Sequence, residues 1–122
     1  MNAPAAGGWG VETAPASLAR WGYELYGGFV ISEASLHEMT EFQSQWYELG
    51  TFDFSGLFGV LAVGHEEESS VTTCRSVIKL AALPEEGFVI SVQADTGSSI
   101  SNRDYVRALD ALTRAVRDAA RT

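Results

Sequence analysis

Two runs of alternating side chains, one on each side of a short turn, constrain this chain most. Val71–Ala82 sets Cys74, Ile78, Leu80 and Ala82 on one side and Thr73, Arg75 and Lys79 on the other. Phe88–Asp95 repeats the pattern, with Phe88, Ile90, Val92 and Ala94 against Ser91, Gln93 and Asp95. Successive side chains of a strand point to opposite faces, so each run reads as a strand with one buried face. Pro84–Gly87 is too short to carry a crossover, which makes the pair antiparallel. A third run, Phe52–Val63, precedes them across the polar connection His65–Ser70, and the three are expected to form an antiparallel meander. Its second half is apolar on both sides, with Phe58, Val60 and Ala62 on one and Leu57, Leu61 and Val63 on the other.

Helical periodicity flanks this sheet. Ser17–Tyr26 reads as a short helix with Leu18, Trp21 and Leu25 on one face, ended by Gly27-Gly28, and Phe29–Ile31 as a short strand. Glu33–Leu49 carries Leu36, Met39, Phe42, Trp46 and Leu49 at steps of three and four, with Ser32 or Ser35 as its cap and Gly50 as its stop. Asn102–Ala120 carries Tyr105, Leu109, Leu112, Val116 and Ala119 as its expected buried stripe, after a capping pair Ser101–Asp104. Arg114, Arg117 and Arg121 crowd its C-terminal half, where the helix dipole favours cations. The predicted order is α-β-α-β-β-β-α, an α+β fold whose helices cover one face of the sheet. Residues 1–16, rich in Ala, Gly and Pro, read as a flexible N-terminal arm, and 17–122 as a single domain.

With 122 residues and 46% hydrophobic content, the chain is long enough for one core. Its net charge of −8 is unevenly spread. Residues 1–102 hold thirteen acids against Arg20, Arg75 and Lys79, while 103–122 hold five arginines against Asp104, Asp110 and Asp118. An acidic body repels phosphate backbones, which argues against nucleic acid as a partner. The longest apolar run, Gly56–Gly64, is too short to span a bilayer and the N-terminus has no signal-peptide pattern, so a soluble protein with no membrane association is expected. Cys74 is alone, which excludes an internal disulfide and a cysteine-based zinc site, and suits a cytoplasmic location.

Three motifs bear on chemistry. Asp95-Thr96-Gly97-Ser98-Ser99 resembles the active-site loop of aspartic proteases, in which two such loops share a proton and activate water. In that family the loop comes early and a flap follows it; here only a helix follows, so a strand-to-helix turn is the expected role. His37-Glu38-Met39-Thr40-Glu41 departs from H-E-x-x-H by having Glu41 for the second histidine; a helix would set His37 and Glu41 on one face as two ligands lacking a third. His65-Glu66-Glu67-Glu68 reads as a solvated acidic loop. No cofactor and no metal is expected. Arg107, Arg114 and Arg121, seven apart, line one flank of the last helix. They serve either as a solvated face with pairs such as Asp110–Arg114 and Asp118–Arg121, or to dock an acidic surface such as another copy.

The element order resembles that of roadblock-type, profilin-like and secretion-chaperone-like domains, small dimerising or scaffold folds, a resemblance of topology alone that does not carry function. The lack of a catalytic constellation, the strand apolar on both faces, the N-terminal arm and the uneven charge lead to the expected function, a non-catalytic interaction or assembly protein, an adaptor, chaperone-like protein or structural component of a larger complex. It is expected to act as a homodimer or higher oligomer and to bind another protein. Its expected interface comprises Leu57, Leu61, Val63 and Trp9 with Arg107, Arg114 and Arg121. The alternative is a small hydrolase or ligand-binding enzyme using His37, Glu41 or Asp95.

Overall fold

The computed structural model describes residues 13–43, 46–71, 74–96 and 102–122. Helix α1 spans Pro15–Tyr26 and α2 Glu33–Thr40; strands β1 (Tyr47–Glu48) and β2 (Thr51–Asp53) follow, then the single turn α3 (Ser55–Phe58). Three long strands, β3 (Val63–Val71), β4 (Cys74–Leu83) and β5 (Phe88–Thr96), lead to the closing helix α4 (Asn102–Ala120). The sheet is one antiparallel meander in the order β1-β2-β3-β4-β5. The expected α+β fold stands, with five strands in place of three and a short one.

The register explains how the sheet is covered. Ala81 pairs with Ile90 and Lys79 with Val92, so these side chains share a face; Leu80, Ala82 and Val89 lie on the other. The first face forms a core with Phe58, Ala62, Leu83 and Leu109 of α4. The second packs Val63, Leu80 and Ala82 under Tyr26, Leu18 and Leu25 of α1 and Leu36 of α2. Helices therefore cover both faces, which corrects the expectation of a single covered face. It also corrects the orientation expected for Lys79, which is buried at 2% exposure rather than turned to solvent.

Four expected elements end differently, each for a local reason. The helix expected over 33–49 stops at Thr40, and Leu49-Gly50 is a hairpin turn with φ of 49° and 78°. Positive φ at both central residues is what a two-residue hairpin needs, and it sets Glu48 opposite Thr51. The strand expected over 52–63 is broken after Asp53, whose Oδ1 accepts from the Ser55 amide at 3.0 Å and starts α3. Gly59, at φ 71°, ends that turn. Residues 65–70, expected as a loop, extend β3, where Glu66 lies opposite Lys79 across the ladder. Phe29–Ile31 is a bend following α1.

Helix α4 is also rotated from its expected setting. Leu109 and Thr113 are buried against the sheet, whereas Leu112 and Val116 are 49% and 41% exposed. Two charged contacts accompany this rotation. Asp110 pairs with Lys79 on β4, and Arg117 reaches Glu86 in the β4–β5 turn and the Phe58 carbonyl.

Candidate functional site

The end of α1 builds an open groove. Gly28, at φ 86°, donates to the Leu25 carbonyl at 3.2 Å, and Phe29 N–H reaches back to the Glu24 carbonyl at 2.9 Å. These are the two bonds of a Schellman motif, which turns the chain sharply and brings the residue after it against the last helical turns. That residue is Phe29, and its ring stacks on Tyr23 at 6.2 Å between centroids. Tyr26 anchors the same turn from below, its hydroxyl meeting Thr51 Oγ1 at 3.1 Å and the Gly64 carbonyl at 3.4 Å. Burial raises the Tyr26 hydroxyl above its ordinary pKa, with the Thr51 hydrogen bond acting in the opposite direction. Gly22 lets α1 sit close to the sheet, because a Cβ there would lie 2.9 Å from Leu80 Cδ1.

Between this turn and the β4–β5 turn lies a cavity of about 290 Å³, walled by Tyr23, Phe29, Phe88, Val89, Pro84 and Ala82 among others. Among the described residues no charged side chain lines it. Tyr23 and Phe29 form its outer wall and are 51% and 72% exposed. Sites for small molecules run from about 300 to 1,000 Å³ and bury most of their ligand. This groove is at the lower limit and open to solvent, so its dimensions match one or two apolar side chains of a larger partner.

The charged clusters hold the fold together. Lys79 Nζ contacts Asp110 and, at 3.3 Å, Glu66 Oε2, and stands 4.6 Å from the Phe54 ring centroid. The arrangement ties β3, β4 and α4 around an ammonium with no side open to a substrate. Arg117 chelates Glu86 through Nε and Nη2 and stands 5.7 Å from the Phe58 ring. Its hydrogen bonds hold the Glu86 carboxyl below its ordinary pKa and raise that of the guanidinium. His37 Nε2 meets Glu41 Oε2 at 3.2 Å on the exposed side of α2. Among the described residues no three metal-ligating side chains converge.

The residues singled out from the sequence fall in separate places. Leu57 lies in α3 against the α4-side core, Val63 is buried in β3 on the α1 side, and Leu61 is half exposed in the segment between them. They do not share a face, because α3 breaks the strand that was expected to carry them. Arg107, Arg114 and Arg121 are exposed along α4, while Asp110, expected to pair with Arg114, contacts Lys79 instead. Asp95 lies in β5. Trp9, Ser101 and the stretch Gly97–Ser99 are outside the described residues.

Sequence reasoning missed the groove, although Gly27-Gly28-Phe29 after a helix ending in aromatic residues is the signal of a Schellman turn with its apolar contact. It also missed the aromatic group on the β1–β2 hairpin, where Trp46, Tyr47 and Phe54 surround Phe52. Among the described residues no helix is long and apolar enough to cross a membrane. Comparisons with protein-family models, with curated proteins and with solved structures find no match to this chain.

Proposed function

We propose that this chain is an interaction or assembly protein that acts through its own copies and binds another protein in the groove between α1 and the β4–β5 turn. The observation that carries this reading is the wall of Tyr23 and Phe29, two aromatic side chains left exposed beside an uncharged cavity. Aromatic side chains dominate binding energy at protein interfaces, and exposed apolar patches on folded domains mark such sites. The partner's chemistry follows from charge. Residues 1–102 carry a balance of −10, and Glu85 is exposed in the turn that forms one end of the groove. A segment with one or two aromatic or aliphatic anchors flanked by basic residues complements both features.

Selection from a random peptide library displayed on phage tests this. Enriched peptides should carry an apolar anchor beside lysine or arginine, and their binding should be lost on Phe29→Asp. A library that yields no consensus, or peptides that bind Phe29→Asp unchanged, would contradict the reading.

A further inference from the structure

The turn that ends α1 leaves two backbone acceptors beside an aromatic wall. The final carbonyls of a helix have no partner within it and must find one elsewhere. Here the Tyr23, Leu25 and Glu24 carbonyls accept from the amides of Gly27, Gly28 and Phe29. Among the described residues none donates to the Tyr26 or Gly27 carbonyl, and both residues line the groove. Tyr23 and Phe29 stand next to them as two rings inclined at only 21°. Phe29 lies over Gly27, since a Cβ there would come within 3.0 Å of Phe29 Cε2. A flat π surface and hydrogen-bond acceptors thus meet at one end of the groove, with no cation among the described residues that line it. Arg20, the one basic residue of α1, is held by Glu24 at 3.1 Å.

We infer that this end of the groove takes an arginine side chain of the bound segment. Its guanidinium stacks on the Tyr23–Phe29 wall and donates to the Tyr26 and Gly27 carbonyls. The inference rests on the reading of the groove as a protein-binding site and names the residue it selects beside the apolar anchor.

Three properties favour arginine. A guanidinium carries five N–H donors and no acceptor, which complements a place that presents carbonyls. It is planar and weakly hydrated, so it lies flat on an aromatic ring while donating from its edge. The ammonium of lysine is a compact, strongly hydrated charge that gains less from a flat wall. Charge points the same way. The C-terminal end of α1 is the negative end of its dipole, and Glu85 is exposed in the turn at one end of the groove. Its neighbour Glu86 is already committed to Arg117. The methylenes of an arginine stem cover apolar surface beside the anchor while the head stays at the rim.

Titration of the isotope-labelled full chain, followed by NMR, tests this with four blocked dipeptides. Each begins with leucine as the apolar anchor and ends in arginine, lysine, citrulline or glycine. The arginine dipeptide should shift the amides of Gly27, Gly28 and Phe29. The lysine dipeptide should bind about tenfold more weakly, and so should citrulline, which keeps the planar N–H donors but loses the charge. Phe29→Leu, at a position 72% exposed, should abolish the preference for arginine while the amides of the sheet stay where they are. Equal affinity for arginine and lysine, shifts confined to acidic β3, or an arginine preference that survives Phe29→Leu overturns the inference. If the glycine dipeptide shifts the same amides as strongly as the arginine one, the arginine assignment falls and the groove reading stands. No shift at these amides with the arginine dipeptide overturns the inference as well; a consensus from the peptide library would then leave the groove reading standing.

Discussion

Replacing Lys79 by methionine tests how the sheet and α4 are joined. Lys79 is 2% exposed and faces two carboxylates, Glu66 and Asp110, whose side chains are 24% and 27% exposed. Methionine keeps the volume and the contact with Phe54 but leaves two half-buried carboxylates facing each other across the α4–sheet junction. Removing one partner of a buried charge cluster costs about 3–5 kcal/mol, and partial exposure of the carboxylates places the expected loss near ~3 kcal/mol. Domains of this kind are stable by about 5–15 kcal/mol, so the loss is a large share of the total. For a chain of this length it corresponds to a fall in Tm of roughly 10–15 °C. Urea melts followed by circular dichroism would measure it, with the slope unchanged. The further substitutions Glu66→Gln and Asp110→Asn remove the uncompensated charges and should recover most of the loss. A cost for Lys79→Met below about 1 kcal/mol, or a triple variant no more stable than the single one, would refute the reasoning that unpaired carboxylates cause the damage.

The Glu86–Arg117 pair predicts a pH dependence of stability. Arg117 depresses the Glu86 carboxyl below its ordinary value of 4.5, so its contribution is fully present above that value and is lost as the pH falls through the folded-state pKa. Glu86→Gln should therefore flatten the acid limb of the stability profile, and an unchanged limb would contradict the assignment. Tyr26 acts at the other end: its hydroxyl is raised above 10.0, so its contribution is complete below that pH and declines above it, and Tyr26→Phe should remove the decline. Gly64→Ala should abolish the native sheet, because a Cβ there would lie 1.8 Å from the Leu80 carbonyl oxygen, whereas Gly56→Ala has nothing within 4 Å and should fold normally. A folded Gly64→Ala protein with a wild-type spectrum would contradict the β3–β4 register.

The sequence made visible those elements whose signals are local and redundant. Strand β5, the turn 84–87 and α4 were legible because alternation, turn residues and helical spacing agreed over eight or more residues. The Leu49-Gly50 hairpin was hidden because leucine replaces the asparagine or aspartate that usually announces such a turn, and because Trp46 and Leu49 happen to continue the helical spacing of Leu36, Met39 and Phe42. Acidic β3 was hidden because its Glu66 is matched by Lys79 on the neighbouring strand, a partner that no local window contains. The setting of α4 was misread for the same reason. Apolar periodicity pointed to Leu112 and Val116 as buried, but long-range pairing of Asp110 and Arg117 accompanies a helix turned onto Leu109 and Thr113. The groove depends on a backbone turn bringing Phe29 onto Tyr23 and on a distant hairpin, so only its first half could be read from sequence.

The Tyr23–Phe29 groove is proposed to receive a segment of another protein. The most direct measurement places a photo-activatable benzoylphenylalanine at position 29, where it keeps the aromatic wall, and irradiates intact cells of the native host. A control chain carries the same group at Arg103, exposed on α4. A discrete adduct is expected from position 29, of a mass exceeding that of two copies of the chain, and none from position 103. No adduct from position 29, or the same products from both positions, would contradict it.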